Sequence, residues 1–229
     1  MIPVPICDND PDLIIPQNVL KLTVSLKYFI VENIRTARRY LKKIDKNINI
    51  NDINFFILNK YTKQEEIQSF IQPVKNGFDI GIMSEAGCPG IADPGADIVN
   101  IAHKNNIKIV PLVGPSSIFL ALSASGLNGQ NFVFHGYLPI KQPDRINKLK
   151  LIENISKKEK QTQIFIETPY RNNSLLKDIL NICQPSTLLC IASDITGENE
   201  LIITKSIKQW KISAPDLNKK PTVFLLLAF

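Results

Sequence analysis

Residues 84–95 read Ser-Glu-Ala-Gly-Cys-Pro-Gly-Ile-Ala-Asp-Pro-Gly, so that Gly87, Gly90, Gly95, Pro89 and Pro94 crowd one short stretch. An apolar run, residues 80–83, comes before it, and the apolar spacing Ile98, Ile101, Ala102 comes after. The pattern predicts a strand, a tight loop and a helix. Glycines at such a place let a ligand approach the backbone closely. Asp93 can accept from the orphan N–H groups of the helix's first turn, and Pro94 suits the first helical position. In an open α/β sheet, a loop at the carboxyl end of a strand faces the ligand crevice. The spacing is neither Gly-x-Gly-x-x-Gly nor a Gly-Lys-Ser/Thr phosphate loop. A structural loop with incidental glycines accounts for the local pattern equally well, so the rest of the chain must decide.

A second group could do chemistry with phosphate. Arg35, Arg38, Arg39 and Lys42 share a face at three- and four-residue spacing, with Lys43 beside them. Contact with a nucleic-acid backbone is one reading and a solvated helix face is the other. Lys157, Lys158 and Lys160 read as solvated surface. His103, near a helix end beside Lys104, is compatible with the helix dipole. His135, before Gly136 and Tyr137, reads as a strand-end histidine or a substrate contact. Cys88 reads as a small apolar packer. The four cysteines lie far apart, with no Cys-x-x-Cys pair and two histidines in all, which argues against a zinc site or a disulfide framework.

These residues need elements to position them. Strands are expected at residues 2–6, 28–31, 55–58, 80–83 and 107–113. Between them come a helix opened by Pro16, a basic helix over 36–43, a helix from about Thr62 to Val74 with Glu65 and Glu66 in a capping-box pattern, and the helix after the central loop. Strands joined by helical crossovers give a mostly parallel sheet. Gly114-Pro115-Ser116-Ser117 marks a boundary, giving an N-terminal α/β domain over 1–112 and a C-terminal α/β domain over 113–229. In the second, a small-residue helix over 118–125 ends at Gly126, which suits the left-handed position after a helix. Strands follow at 132–134, 163–167, 188–192, 201–205 and 222–227, with helices at 143–156 and 172–182. The consecutive strands on either side of 194–200 predict a hairpin and hence a mixed sheet.

Composition bounds the class. A chain of 229 residues with 44% hydrophobic and 21% charged residues can bury a substantial core. No basic start followed by an apolar h-region precedes residue 5, and the run 223–229 is too short to span a bilayer, so the expected location is the cytoplasm, with no membrane partner. The net charge of +6 is compatible with an RNA partner, although lysine abundance alone gives the same number.

Five segments taken together carry a resemblance. They are Val31-Glu32-Asn33-Ile34-Arg35; residues 84–95; Pro111-Leu112-Val113-Gly114-Pro115-Ser116-Ser117; Ser123-Ala124-Ser125-Gly126-Leu127 through Phe134-His135-Gly136-Tyr137-Leu138-Pro139; and Glu167-Thr168-Pro169-Tyr170-Arg171. In this order and at these intervals the chain resembles the tetrapyrrole methylase superfamily of S-adenosylmethionine-dependent enzymes. Within it, the chain looks most like the branch that methylates the ribose 2′-oxygen of a cytidine in small-subunit ribosomal RNA.

The resemblance implies a two-domain α/β protein, a homodimer, with S-adenosyl-L-methionine folded in the cleft between domains and no metal. It implies that Ser84, Glu85, Ala86 and Gly87 border the methyl donor and that Asp93 falls on the family's Asp-Pro-Gly element. Gly114, Pro115, Ser116 and Ser117 match a Gly-Pro-Ser-Ala turn whose N–H groups, at a helix start, can hold the donor's carboxylate. Ile166, Pro221 and Thr222 fall on the adenosine side. A ribose hydroxyl is a poor nucleophile, and the candidates to assist it as catalytic residues are Glu32, Arg35, Glu167 and Arg171. Ion pairing between elements is the structural alternative for those four.

The chain departs from the family pattern in places. Glu85 and Cys88 stand for an aspartate and a threonine, Asn33 for an acid, and Cys7 for a glycine in Val4-Pro5-Ile6-Cys7-Asp8-Asn9. Asp194-Ile195-Thr196 stands where Glu-Leu-Thr-Lys is expected. The methyl-donor side is thus closer to the pattern than the acceptor side. A methylase of a small, tetrapyrrole-like molecule and a non-catalytic binder of the methyl donor or of RNA are the competing expectations.

Overall fold

A computed structural model of the chain describes residues 1–59 and 61–229. They form two compact units, 1–116 and 117–229.

The first unit runs α1 (Gln17–Ser25), β1 (Tyr28–Val31), α2 (Ile34–Ile44), β2 (Asn54–Ile57), α3 (Gln64–Ser69), α4 (Gln72–Lys75), β3 (Ile80–Met83) and α5 (Gly95–Lys104). Its sheet has the order β2-β1-β3 and is parallel throughout, with Tyr28 between Asn54 and Ile80 and Val31 between Ile57 and Met83. The central strand is an unbroken apolar run because both faces are covered. Phe29 and Val31 enter a cluster with Ile2, Leu41 and Met83. Ile30 enters another with Leu58, Phe70, Ile82 and Ile98.

Among the described residues three strands stand where five were expected, and the prolines explain the difference. Residues 2–6 and 107–113 carry Pro3, Pro5 and Pro111, which have no N–H to give a ladder. The first segment still bonds to β3, and the second bonds to Met1. Ile2 N donates to Ile82 O at 2.8 Å, Met1 N to Val110 O at 3.0 Å and Leu112 N to Met1 O at 3.1 Å. Two cap expectations also change. Thr62 does not cap α3, because its hydroxyl donates to Ile57 O and accepts from Asn59 N. Pro94 is the residue before α5 rather than its first, although Asp93 does accept from the first helical N–H, that of Gly95.

The second unit runs α6 (Ser117–Ser125), β4 (Phe132–Tyr137), α7 (Gln142–Glu159), β5 (Thr162–Ile166), α8 (Asn172–Ile182), β6 (Leu188–Ser193), β7 (Leu201–Ser206), α9 (Ile207–Trp210) and β8 (Thr222–Leu227). The sheet order is β4-β5-β8-β6-β7, with β4 parallel to β5 and the remaining pairs antiparallel. It is the mixed sheet that the sequence predicts, with the β6–β7 hairpin in place. Gly126 ends α6 at φ +68°. On the outer layer, Arg145 of α7 and Asp178 of α8 form a buried ion pair, with Nε to Oδ2 at 2.7 Å, and Gln142 adds a second bond to Asp178.

Candidate functional site

In the first unit, the chemistry gathers at the carboxyl ends of the parallel strands. Glu32 follows β1 directly. Asn33 then turns the chain by capping α2, its Oδ1 accepting from Arg35 N at 2.9 Å. Glu32 Oε1 accepts from the backbone N of Glu85 at 3.1 Å. The Glu85 carboxylate is met in turn by the Thr36 hydroxyl at 2.6 Å. Farther along the loop, both oxygens of Asp93 accept from Gly90 N, at 2.9 and 2.8 Å, and Oδ1 accepts from Gly95 N at 2.6 Å. Asp93 thereby closes its own loop. Ala92 sits at φ +62° within it, a strained position for a residue with a Cβ.

The loop is also tied to the unit's amino-terminal segment and to the turn at 114–115. Gly87 exchanges both backbone bonds with Val4, at 2.9 and 3.1 Å. Cys88 Sγ lies 3.3 Å from Pro115 O, and burial raises the thiol's pKa, so it is a neutral packing group. Ser84 Oγ donates to Ala86 O at 3.2 Å. Ser84, Glu85, Ala86, Gly87, Asp93, Gly114 and Pro115 therefore belong to one connected corner, with Ser116 ending the unit. Ser117 opens α6 in the second unit, and the first N–H groups of any helix have no intrahelical acceptor.

Glycine is required here for two different reasons. Gly87 has φ +71°, and a Cβ on it would lie 3.4 Å from Pro115 O. At Gly114 the close approach is made by this chain, because a Cβ would fall 2.2 Å from Pro3 Cβ. Gly114→Ala is thus expected to destabilise the first unit by about 1–3 kcal/mol through overpacking. Thermal unfolding checks this, and a midpoint equal to the parent's would contradict the packing at Pro3.

Electrostatics single out Glu32. Burial raises its pKa, the charges of Asp93 and Glu85 add to the rise, and the Glu85 N–H opposes it. A small cavity of about 10 Å³ adjoins it, lined by Met83, Asp93 and Gly95 among others, with room for about one water. Glu32 is consequently more basic than an ordinary glutamate. Arg35 is exposed and makes no ion pair among the described residues.

The second unit brings its own group together at one end of its sheet. Ile166 ends β5 opposite Val223, and Thr222 lies opposite Ser193, with their hydroxyl oxygens 3.1 Å apart. Asp194 N donates to Pro221 O at 2.9 Å. Glu167 is buried, and its Oε1 accepts from Thr168 N and from Arg171 Nη2, both at 2.6 Å. Burial raises the pKa of this carboxyl, but the bonds from Arg171 and Thr168 outweigh it and hold the group below the ordinary range. Glu167 is a fixed anion and a weak base. Its Oε2 and Arg171 Nε are buried without partners among the described residues.

Other candidates resolve into structure. His135 shares a 2.7 Å bond with Gln163, and burial lowers its pKa, which makes it a neutral, satisfied histidine. On α2, Arg38 lies over the Phe55 ring at 5.6 Å, Lys43 pairs with Asp8 at 2.8 Å and Lys42 donates to Lys46 O at 2.9 Å. All three remain exposed, as do Arg35 and Arg39. Among the described residues no three His, Cys, Asp or Glu side chains are grouped to hold a metal, and no helix is long and apolar enough to cross a membrane. Sequence reasoning missed Thr36, Val4 and Ser193. Their contacts are long-range, and no local spacing announces them.

The fold is thus a parallel α/β unit with a glycine-rich loop at its strand ends, followed by a unit with a mixed five-stranded sheet. The chain belongs to the Tetrapyrrole (Corrin/Porphyrin) Methylases, whose sequence profile matches residues 27–210. Two solved structures share the fold. The methyltransferase CobJ has a TM-score of 0.62 at 14% identity, covering 94% of this chain and 89% of that one. The cobalt precorrin-4 methyltransferase CbiF has a TM-score of 0.58 at 16% identity, covering 95% of this chain and 90% of that one.

In sequence, the chain is similar to ribosomal RNA small subunit methyltransferase I of Vibrio cholerae, with 32% identity over 216 residues, 93% of this chain and 72% of that protein. It is also similar to the protein of the same name from Haemophilus influenzae, with 32% identity over 175 residues, 75% of this chain and 60% of that protein. The chain is thus shorter than these relatives.

Proposed function

We propose that the protein is an S-adenosylmethionine-dependent methyltransferase that methylates a ribose 2′-hydroxyl of small-subunit ribosomal RNA. The observation that carries this reading is the similarity to ribosomal RNA small subunit methyltransferase I along 93% of the chain, which includes the loop at residues 84–95. A cytoplasmic location is part of this reading. Assembly as a homodimer is part of the same reading, and the exposed side chains Phe119, Leu120 and Tyr137 of the second unit are apolar surface that a second copy would cover.

S-adenosylmethionine supplies an electrophilic methyl carbon on a sulfonium. The residues present fit such a ligand, because Glu167 Oε2 is a buried acceptor with no partner among the described residues, and a helix start such as that of α6 is where backbone N–H groups lack intrahelical acceptors. In this reading the candidates for methyl-donor contacts are residues 84–87, Asp93, Gly114, Pro115 and Ser116 in the first unit, and Ser117, Ile166, Pro221 and Thr222 in the second. Positioning the acceptor oxygen in line with the methyl carbon supplies much of the catalysis. Glu32 takes the proton of the ribose hydroxyl as its oxygen forms the new C–O bond, and S-adenosylhomocysteine leaves. Arg35, which makes no ion pair among the described residues, meets the acceptor strand beside Glu32. The Glu167–Arg171 pair holds the β5–α8 corner. Calorimetry with S-adenosylhomocysteine tests the reading: binding at one site per chain is expected, and a folded protein that binds none would overturn it.

The exposed face of α2 is the RNA contact of this reading. Reversing the charge at Arg38 and Arg39 is expected to weaken RNA binding and to flatten its salt dependence by roughly one unit of slope per lost phosphate contact. Affinity for the methyl donor should hold. Unchanged RNA methylation in the Arg38→Glu, Arg39→Glu protein, measured across a salt series, would make this face ordinary solvated surface.

A further inference from the structure

The Glu85 side chain turns to α2, and three observations define what it does there. Its Oε1 lies 2.6 Å from the Thr36 hydroxyl. Its backbone N is held by Glu32 at 3.1 Å, so that both ends of residue 85 are fixed to the strand end and helix start that follow β1. Thr36 stands in the first turn of α2, where the N-terminal end of the helix dipole favours an anion. The Thr36 hydroxyl has one hydrogen and two acceptors within reach, Glu85 Oε1 at 2.6 Å and Asn33 O at 3.0 Å. The shorter contact, to a carboxylate, is the stronger of the two. Residues 84–87 are otherwise fixed at Gly87, through Val4, and at Ser84, through Ala86 O. Besides these ties and the Glu32 bond to Glu85 N, the Thr36–Glu85 contact fixes the side chain of residue 85 and so restrains the backbone of Glu85 and Ala86 further.

We propose that Thr36 is a positioning residue for the loop at residues 84–87, acting through the Glu85 carboxylate, so that methyl-donor affinity depends on a side chain of the basic helix. The proposal rests on the methyl-donor reading for its consequence, but not for its geometry. Preorganisation is its physical content: a loop already ordered loses less freedom when it meets a ligand. The bond also joins the helix assigned to RNA to the loop assigned to the methyl donor. Any coupling it carries between ligands at the two places is reciprocal, as linkage requires.

The test compares Thr36→Val, which keeps the shape and removes the hydroxyl, with Thr36→Ser, which keeps the hydroxyl. Calorimetry with S-adenosylhomocysteine is expected to show Thr36→Val binding about 3- to 10-fold more weakly, in the range of one hydrogen bond to a charged group at an exposed site. Thr36→Ser should restore the parent's affinity. On a Glu85→Ala background Thr36→Val should add nothing, since the two residues act as one unit. Hydrogen exchange in the ligand-free proteins provides a readout independent of any ligand. The amides of Glu85, Ala86 and Gly87 should exchange faster in Thr36→Val, while those of β1 and β3 are unchanged. If the parent bound no S-adenosylhomocysteine, the methyl-donor reading would fail and the exchange result would still decide the role of Thr36. Parent-like exchange at 85–87 in Thr36→Val, parent-like affinity, or an undiminished loss on the Glu85→Ala background would each overturn the proposal.

Discussion

Glu32→Gln is expected to lower the rate of methyl transfer by about 10²- to 10⁴-fold, the ordinary contribution of a general base, while S-adenosylhomocysteine still binds. Glutamine keeps an oxygen able to accept from Glu85 N, so the loop's anchor survives and only the proton acceptor is lost. The carboxyl's raised pKa fixes the accompanying pH behaviour. Its folded-state value lies above its unfolded value, so the protonated form is the one folding favours. The stability this gives is full below the unfolded pKa and is lost as pH rises through the folded one. At neutral pH the charged Glu32 is therefore a cost to folding, and glutamine, which stays neutral, should unfold at the same temperature as the parent or a higher one. In the parent, transfer should rise with pH through the raised pKa of Glu32, and in the variant this limb should be absent. Single-turnover rates across pH, read beside calorimetry, measure both. A variant with the parent's rate would remove Glu32 from proton transfer.

Arg171→Met is expected to cost about 3 kcal/mol of stability, the lower end for breaking a buried ion pair, because Arg171 itself is 37% exposed while Glu167 is fully enclosed. The loss comes from leaving the Glu167 carboxylate buried with no cation beside it and Thr168 as its remaining donor residue among the described ones. In the parent, the depressed pKa of Glu167 gives stability that is present above its unfolded pKa and lost as pH falls through the folded value. In the variant this contribution is gone. The difference between parent and variant should therefore narrow in acid, and Glu167→Gln on the Arg171→Met background should recover part of the loss. Denaturant unfolding at neutral and acidic pH reads all of this. Equal midpoints at neutral pH would mean that the pair contributes nothing to the fold.

The sequence makes the loop at 84–95 and the strands around it legible, because their signals are local. Apolar runs bounded by glycine and proline, helical spacing in α2, and Gly126 at a helix end each follow from neighbouring residues. The sheet's edge was legible only in part. Residues 2–6 and 107–113 have strand composition, yet their prolines leave a few backbone bonds where a ladder was expected. Glu167 and Arg171 are recognisable in the sequence as candidate site residues, but their buried ion pair with each other and the resulting weak base are not. The same holds at Gly114. A glycine there suggests a ligand against the backbone, and only the folded chain brings Pro3 to that point. Thr36 lies farthest from view, since its bond to Glu85 spans 49 positions and needs the strand order β1-β3 to exist first.

Transfer of a labelled methyl group from S-adenosylmethionine to small ribosomal subunits, followed by nucleoside mass mapping of the RNA, tests the central claim most directly. The account predicts one ribose-methylated nucleotide in small-subunit RNA, formed by the parent and not by Glu32→Gln. Label that stays out of the RNA while the parent binds S-adenosylhomocysteine would contradict it.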